Sequence, residues 1–176
     1  MKIHSYVVEH DLGFAPNPFW GFLTLANCKP RIRKFSNVGD VVIGTGSANY
    51  GKQNFLVYWM KIDKIINFNE YWNNPIYDTK KPNLYGSMFQ QYGDNIYFTD
   101  SDGIIRQIDS FHSLPNGIIS EENLARDVLF TDRVLISNEF AYFGKSAPKI
   151  PSEFSNFVIK GQGHKNHFER DSVTNF

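Results

Sequence analysis

Between Gly13 and Gly21 the chain reads GFAPNPFWG, and the prolines on either side of Asn17 exclude both a helix interior and a central strand. The segment has to be a rigid loop. It lies within a longer stretch, His10 to Ser47, that holds three of the eight prolines and five of the thirteen glycines. The same stretch carries the only cysteine, Cys28, and the tightest basic cluster, Lys29, Arg31, Arg33 and Lys34. Core packing does not call for so many backbone-restricting residues beside polar and reactive side chains, so this stretch reads as a ligand-facing wall.

The rest of the chain alternates short strands with short helices. Lys2 to Glu9 predicts a first strand ending at an Asp-Leu-Gly turn, and Phe22 to Ala26 a short second one. Pro30 suits a first helical position, with helix over Arg31–Ser36 and Ile32 and Phe35 facing inward. Val41 to Ile43, ending in Gly44-Thr45-Gly46-Ser47, and Phe55 to Asp63 are the firmest strands. Asn67 and Glu70 form a capping-box pattern for a helix through about residue 73. Asn74 to Asp94, with two prolines and two glycines, predicts a long loop. Ile96–Phe98 and Ile104–Ile108 predict a hairpin across Asp102-Gly103, Ser120 opens a short helix, and Val134–Ile136 and Phe140–Phe143 supply the last strands. Pro151-Ser152-Glu153 opens a final helical turn. The pattern predicts an α+β chain, 1–176 as a single domain, built on a small, mostly antiparallel β-barrel with short flanking helices.

Composition narrows the function classes. Lys+Arg and Asp+Glu both total 18, so the whole molecule has no electrostatic pull toward a polyanion and any nucleic-acid contact must be local. One cysteine permits no intrachain disulfide, which fits a reducing cytoplasm. No apolar run approaches membrane-spanning length, and MKIHSYVVEHD lacks the apolar stretch of a signal peptide, so a soluble intracellular protein without membrane contact is expected. With Phe 16, Tyr 9 and Trp 3, the chain has enough flat side chains that some can line a pocket or stack on a ligand.

Gly46 to Lys52 matches the first seven positions of a phosphate-binding P-loop. Gln53 stands where Ser or Thr belongs, and strand follows where a helix must start, so no nucleotide-triphosphatase site is read here. Cys28 beside four cations is a candidate nucleophile, with His10, Asp11 and His164 as acid-base candidates. His164 and His167 have metal-ligand spacing but no completing ligands, so neither a metal nor a cofactor is expected. Asp94 reads either as a turn residue or as an acceptor for a base edge. The Arg126-Asp127 pair reads either as a surface ion pair or as a polar ligand contact.

The block Asp11, Gly13, Ala15-Pro16-Asn17-Pro18-Phe19, Gly21, Thr24-Leu25, Cys28-Lys29-Pro30, Ile32-Arg33, Gly39-Asp40 and Gly44-Thr45-Gly46-Ser47 resembles the second nucleotide modification associated domain family. Gly93-Asp94-Asn95-Ile96-Tyr97, Val134 to Ser137, Phe140, Tyr142-Phe143-Gly144 and Gly163-His164 continue the resemblance in order. It implies a bacterial or phage setting beside systems that modify or sense altered bases, with phage defence among the expected roles. The order of a Gly-Asp turn, a small-residue strand end and a long aromatic strand is also similar to the PUA, ASCH and EVE barrels.

These readings converge on recognition of a nucleotide or modified base, free or within DNA or RNA. The expected pocket joins the Asp11–Gly21 loop, the Cys28–Arg33 segment and the Gly44–Ser47 strand end, with Thr45 and Ser47 on its wall. Trp20, Tyr58 or Trp59 would stack on the base, Asp11, Asn17 and Asp94 would meet its edges, and Lys29, Arg31 or Arg33 would take a phosphate. Two alternatives stand beside it: an enzyme using Cys28, His10, Asp11 or His164, and a protein-interaction adaptor.

Overall fold

The computed structural model describes residues 1–161 and 163–168. In chain order the regular elements are β1 (Ile3–Val8), β2 (Leu23–Leu25), α1 (Pro30–Phe35), β3 (Val41–Gly46), β4 (Leu56–Lys61), β5 (Lys64–Ile66), α2 (Phe68–Asn73), α3 (Met88–Gln91), β6 (Tyr97–Thr99), β7 (Ile105–Gln107), α4 (Glu121–Leu124), β8 (Val134–Ser137), β9 (Glu139–Tyr142) and β10 (His164–Lys165). They fall into two compact units. The first takes Met1–Asp11, Ser36–Asp63 and the described residues from Ser137 onward, and the second takes Leu12–Phe35 and Lys64–Ile136.

The first unit is an open five-stranded sheet in the order β10-β1-β3-β4-β9. β3, all six residues buried, occupies its centre because VVIGTG offers small or branched side chains to both faces. It pairs parallel with β1, from Ile3↔Val41 to Val8↔Gly46, and antiparallel with β4. One face packs Ile3, Val41, Ile43 and Phe157 together. On the other, the Tyr58 hydroxyl donates to Tyr6 at 3.0 Å. Gly44 is required there: a Cβ would stand 2.3 Å from the Tyr58 ring.

The second unit holds a three-stranded sheet, β2-β8-β5, with β8 central and fully buried, and the β6–β7 hairpin. Its core gathers Phe14, Ala26, Ile66, Phe68, Tyr71, Tyr77, Ile96, Tyr97, Val128, Val134 and Ile136. The proline loop is closed at its base by reciprocal Asn17–Thr24 backbone bonds of 2.9 Å. The predicted capping box is present, with Asn67 accepting from Glu70 N at 2.7 Å and Glu70 accepting from Asn67 N at 2.9 Å.

The expected barrel is not formed. The described strands build mixed and separate sheets, and β9 and β10 stand at opposite edges of theirs. Closure fails for a topological reason: the residues between β1 and β3 make a long excursion that returns the chain in the same direction, giving a parallel pair where a barrel of hairpins needs an antiparallel one. After β4 the chain turns at Asp63 into β5, which pairs with β8 instead of extending the five-stranded sheet. The α+β class holds. The predicted long loop, 74–94, contains a 3-10 helix, Pro75–Lys80, and α3. No helix among the described residues is long and apolar enough to cross a membrane.

Candidate functional site

Cys28 and Lys29 both adopt left-handed backbone, φ 56° and φ 42°. For side chains other than glycine such geometry costs on the order of 1–3 kcal/mol per residue and has to be held in place. It is held from both ends. Cys28 N–H donates to Asp127 Oδ1 at 2.8 Å, and its carbonyl accepts from Arg33 Nε at 2.8 Å. Pro30 then starts α1, whose Arg33 is fully buried and whose Phe35 is exposed. That departs from the predicted inward Phe35. Arg33 wins the interior because its planar guanidinium also donates to the carbonyls of Asp127 (2.6 Å), Arg133 (2.8 Å) and Thr131 (3.4 Å).

The turn presents the Cys28 thiol to His112, with Sγ 3.6 Å from Nε2. On the far side of the ring, His112 Nδ1 lies 2.8 Å from Asp127 Oδ2. That approach is off the line of the N–H, so it acts as a charge contact more than a linear hydrogen bond. Tyr97 OH donates to the same oxygen at 3.3 Å, and Arg126 Nε meets Asp127 Oδ1 at 3.0 Å. Arg126 Nη2 also reaches His112 Nε2 at 3.4 Å. Asp127 is fully buried, which corrects the reading of Arg126-Asp127 as a surface ion pair.

A local irregularity makes this possible. Neighbours in sequence point apart on an α-helix, yet Arg126 and Asp127 touch. They lie in a π-helical turn, Ala125–Leu129, closed by Phe130 N–H donating to Ala125 O at 3.2 Å. Such widened turns recur at functional sites.

Charge and burial set the protonation states. Burial opposes the charged form of His112, but the contacts with Asp127 and Cys28 outweigh it and hold its pKa above the usual 6.5. Burial likewise pushes Asp127 up, and His112 with Arg126 more than reverses it, leaving the carboxyl below 3.8. These contacts favour an imidazolium beside a carboxylate, the form His112 takes on receiving a proton at Nε2, the nitrogen that faces Cys28 Sγ. The order thiol, imidazole, carboxylate is one in which a nucleophile, a base and a group that orients the base can act together. Tyr97 and Val128 also line a small hollow of about 270 Å³ with Phe68, Asn69, Ile105 and Asp132.

A second buried network lies in the same unit. Lys80 Nζ donates to Asn17 Oδ1 (2.8 Å), Asn17 O (3.0 Å) and Phe22 O (2.8 Å), and burial pulls its pKa down to about 8 despite the nearby charge of Asp94. Asp94 accepts from Thr24 Oγ1 at 2.6 Å and Tyr71 OH at 2.7 Å, and burial raises its pKa. Every one of these side chains is inaccessible, so the network ties the proline loop to the strand after Gly93.

The sequence-derived candidates separate accordingly. Asn17, Arg33 and Asp94 are buried with their polar atoms bonded inside the second unit, and Cys28 is half-buried at the His112 imidazole. In that unit Lys29 is half-buried, while Arg31 and Trp20 are exposed, Trp20 at φ 70°. His10, Asp11, Thr45, Ser47, Tyr58 and His164 belong to the first unit. There the Tyr50 hydroxyl lies 3.3 Å from His10 Nδ1, and Asp11 accepts from Tyr142 OH at 2.6 Å. Thr45 donates to Tyr6 O at 3.2 Å, and Ser47 accepts from Asn49 N at 3.2 Å. Tyr58 is fully buried on Tyr6, Trp59 packs toward the Phe157 core, and His164 pairs with Tyr6 across β10 and β1. Among the described residues no group of His, Cys, Asp and Glu is arranged to hold a metal.

His112 was not singled out in the sequence, and Asp127 only as half of an ion pair. They stand 84 and 99 residues from Cys28, in a segment without periodicity, so neither spacing nor amphipathic pattern announces them. The one local signal was the lone polar pair Arg126-Asp127 inside an otherwise helical stretch.

Compared with known proteins, the chain matches the family model described as nucleotide modification associated domain 2 over residues 1–176. No curated protein and no solved structure matches it significantly. With its proline loop, its Cys28 turn and the later strands all inside the matched span, the chain belongs to the nucleotide modification associated domain 2 family.

Proposed function

We propose that this chain is a thiol enzyme acting on a nucleotide base, with Cys28 as nucleophile, His112 as its acid-base partner and Asp127 orienting and charging the imidazole. The observation that carries this reading is the Cys28–His112–Asp127 alignment, 3.6 Å and 2.8 Å on opposite sides of one ring. Membership of a family named for nucleotide modification supports a nucleotide as the substrate class.

In the proposed step His112 Nε2 takes the thiol proton, and the sulfur lone pair forms a bond to an electrophilic ring carbon. The displaced π pair moves onto the adjoining ring heteroatom, which recovers the proton from His112. Collapse of the adduct expels an exocyclic amine from that carbon as ammonia, carrying the proton, and a water deprotonated by His112 then displaces the thiolate, so the base leaves with oxygen in place of nitrogen and Cys28 is regenerated. Arg126, part-exposed beside His112, offers guanidinium N–H groups to the negative charge that develops on the base or to a phosphate.

Nucleoside mass spectrometry of DNA from cells expressing wild type, Cys28→Ser and His112→Gln tests the reading. A nucleoside present only with wild type is the expected result. Identical profiles in all three, with the variants folded, overturn the enzyme and leave recognition of a nucleotide without chemistry, which the exposed Trp20 and Phe111 rings favour. That second reading has its own check: a rise in Tm with particular nucleotides that Trp20→Ala abolishes.

A further inference from the structure

The second unit exposes large apolar side chains that no packing explains. On the segment leading into α3, Tyr85 is 101% exposed, Met88 68% and Phe89 55%. This is not a slack loop. Asn83 N–H donates to Gln90 O at 2.8 Å, Tyr85 N–H to Asn83 Oδ1 at 3.1 Å, and Ser87 and Gln90 form a reciprocal cap. An ordered backbone that presents bare aromatic rings to water is built for a partner.

The rings continue to the Cys28 site. Phe89 meets Phe19 at 4.6 Å between centroids, and the Asn17 side chain donates to Tyr92 O at 3.0 Å. Tyr92 touches Phe111 at 5.3 Å, which is 48% exposed and lies 6.2 Å from the His112 ring with a stacked orientation. Phe14 fills the corner, 4.5 Å from His112. Phe89 and Tyr92 stand three residues apart at α3 and its C-cap, so the two ring groups share that helix, and the second of them ends at the acid-base residue.

The two segments that supply most of the rings are basic, and the carboxylate at the far end, Asp127, is held by His112 and Arg126. Residues 12–35 and 79–93, which supply most of these rings, contain six cations and no Asp or Glu. Arg33 and Lys80 are buried and Lys81 is paired with Asp78, while Arg31 and Lys34 are exposed on α1, Lys34 with its ammonium over the Phe130 ring. Exposed rings together with surface cations, in segments without Asp or Glu, offer what a single strand requires: stacking for its bases, counter-charge for its phosphates.

From this continuity we infer that the chain engages its target base within single-stranded DNA, the target lying at Cys28 and neighbouring bases stacking along Phe111, Tyr92 and Phe89. Stacking and phosphate contact need no 2′-hydroxyl. The inference rests on the Cys28 reading for which base is the target, but the track is tested separately.

Fluorescence anisotropy with a labelled ten-nucleotide oligo-dT, with dTMP, oligo-rU and a duplex of equal length as competitors, gives the test. The oligonucleotide should bind at least thirtyfold tighter than dTMP and outcompete the duplex. The double variant Tyr85→Ala, Phe89→Ala, at two exposed rings of which Phe89 also packs on Phe19, should weaken oligo-dT roughly tenfold or more and leave dTMP and the urea midpoint unchanged. Equal affinity for dTMP and oligo-dT, or no effect of the double variant, overturns the inference even if Cys28→Ser abolishes modification. Binding of oligo-rU more than tenfold tighter than oligo-dT overturns the choice of DNA. Ring-dependent oligo-dT binding with modification intact in Cys28→Ser leaves the track standing and removes the thiol mechanism.

Discussion

Replacing Asp127 with asparagine keeps the shape of the side chain and removes one charge from the centre of the site. In the wild type its two oxygens meet Cys28 N–H, Arg126, His112 and Tyr97, two of which are cations or become so. The amide can still accept from Cys28 and Arg126, but it turns an NH₂ toward His112. Hydrogen bonds to charged groups contribute about 1.5–3 kcal/mol each, and breaking a buried pair costs about 3–5 kcal/mol, so Asp127→Asn should lose roughly 3–5 kcal/mol. For a chain of this size that corresponds to a Tm lowered by roughly 6–20 °C. The difference should depend on pH. His112 is raised on folding, so its contribution is complete below 6.5 and fades as pH climbs through the folded value. Asp127 is depressed, so its contribution is complete above 3.8 and fades as pH falls through the folded value. Urea denaturation from pH 4 to 9 should therefore show the widest gap between wild type and variant near pH 4–6, narrowing at both ends. A gap under 0.5 kcal/mol at pH 5, or one independent of pH, would refute the buried pair.

Lys80→Met should strand the Phe22 carbonyl, take the charged donor from Asn17 and leave Asp94 without its nearby cation, costing about 3–5 kcal/mol in chemical denaturation, whereas Arg31→Ala, exposed on α1, should stay within about 0.5 kcal/mol of wild type. Gly44→Ala should cost about 1–3 kcal/mol by overpacking, because the new methyl falls on the Tyr58 ring and on Val8 Cγ2; the same measurement checks it.

Much of the local structure was legible because its physics is local. The prolines around Asn17 forced a loop, the Asn67–Glu70 pattern forced a cap, and the apolar run Val41–Ile43 forced a buried strand. The global arrangement was not, because a parallel β1–β3 pair across a long excursion leaves no mark in either strand. Phe35 and Arg33 exchanged places for a similar reason. Helical spacing favours the apolar residue, but only the folded chain reveals four backbone carbonyls waiting for a guanidinium. At the site, Cys28 and its basic neighbours were visible, while His112 and Asp127 were supplied by tertiary structure alone. Asp94, read as a contact for a base edge, is occupied by Thr24 and Tyr71.

The rate of Cys28 alkylation by iodoacetamide at pH 6, followed by intact mass, bears most directly on the thiol mechanism. Because the thiolate is the reacting species and a proton acceptor stands 3.6 Å away, the folded protein should react faster than the same chain unfolded in urea, and His112→Gln should erase that advantage. A native thiol that reacts more slowly than the unfolded one at pH 6, with or without His112, contradicts it.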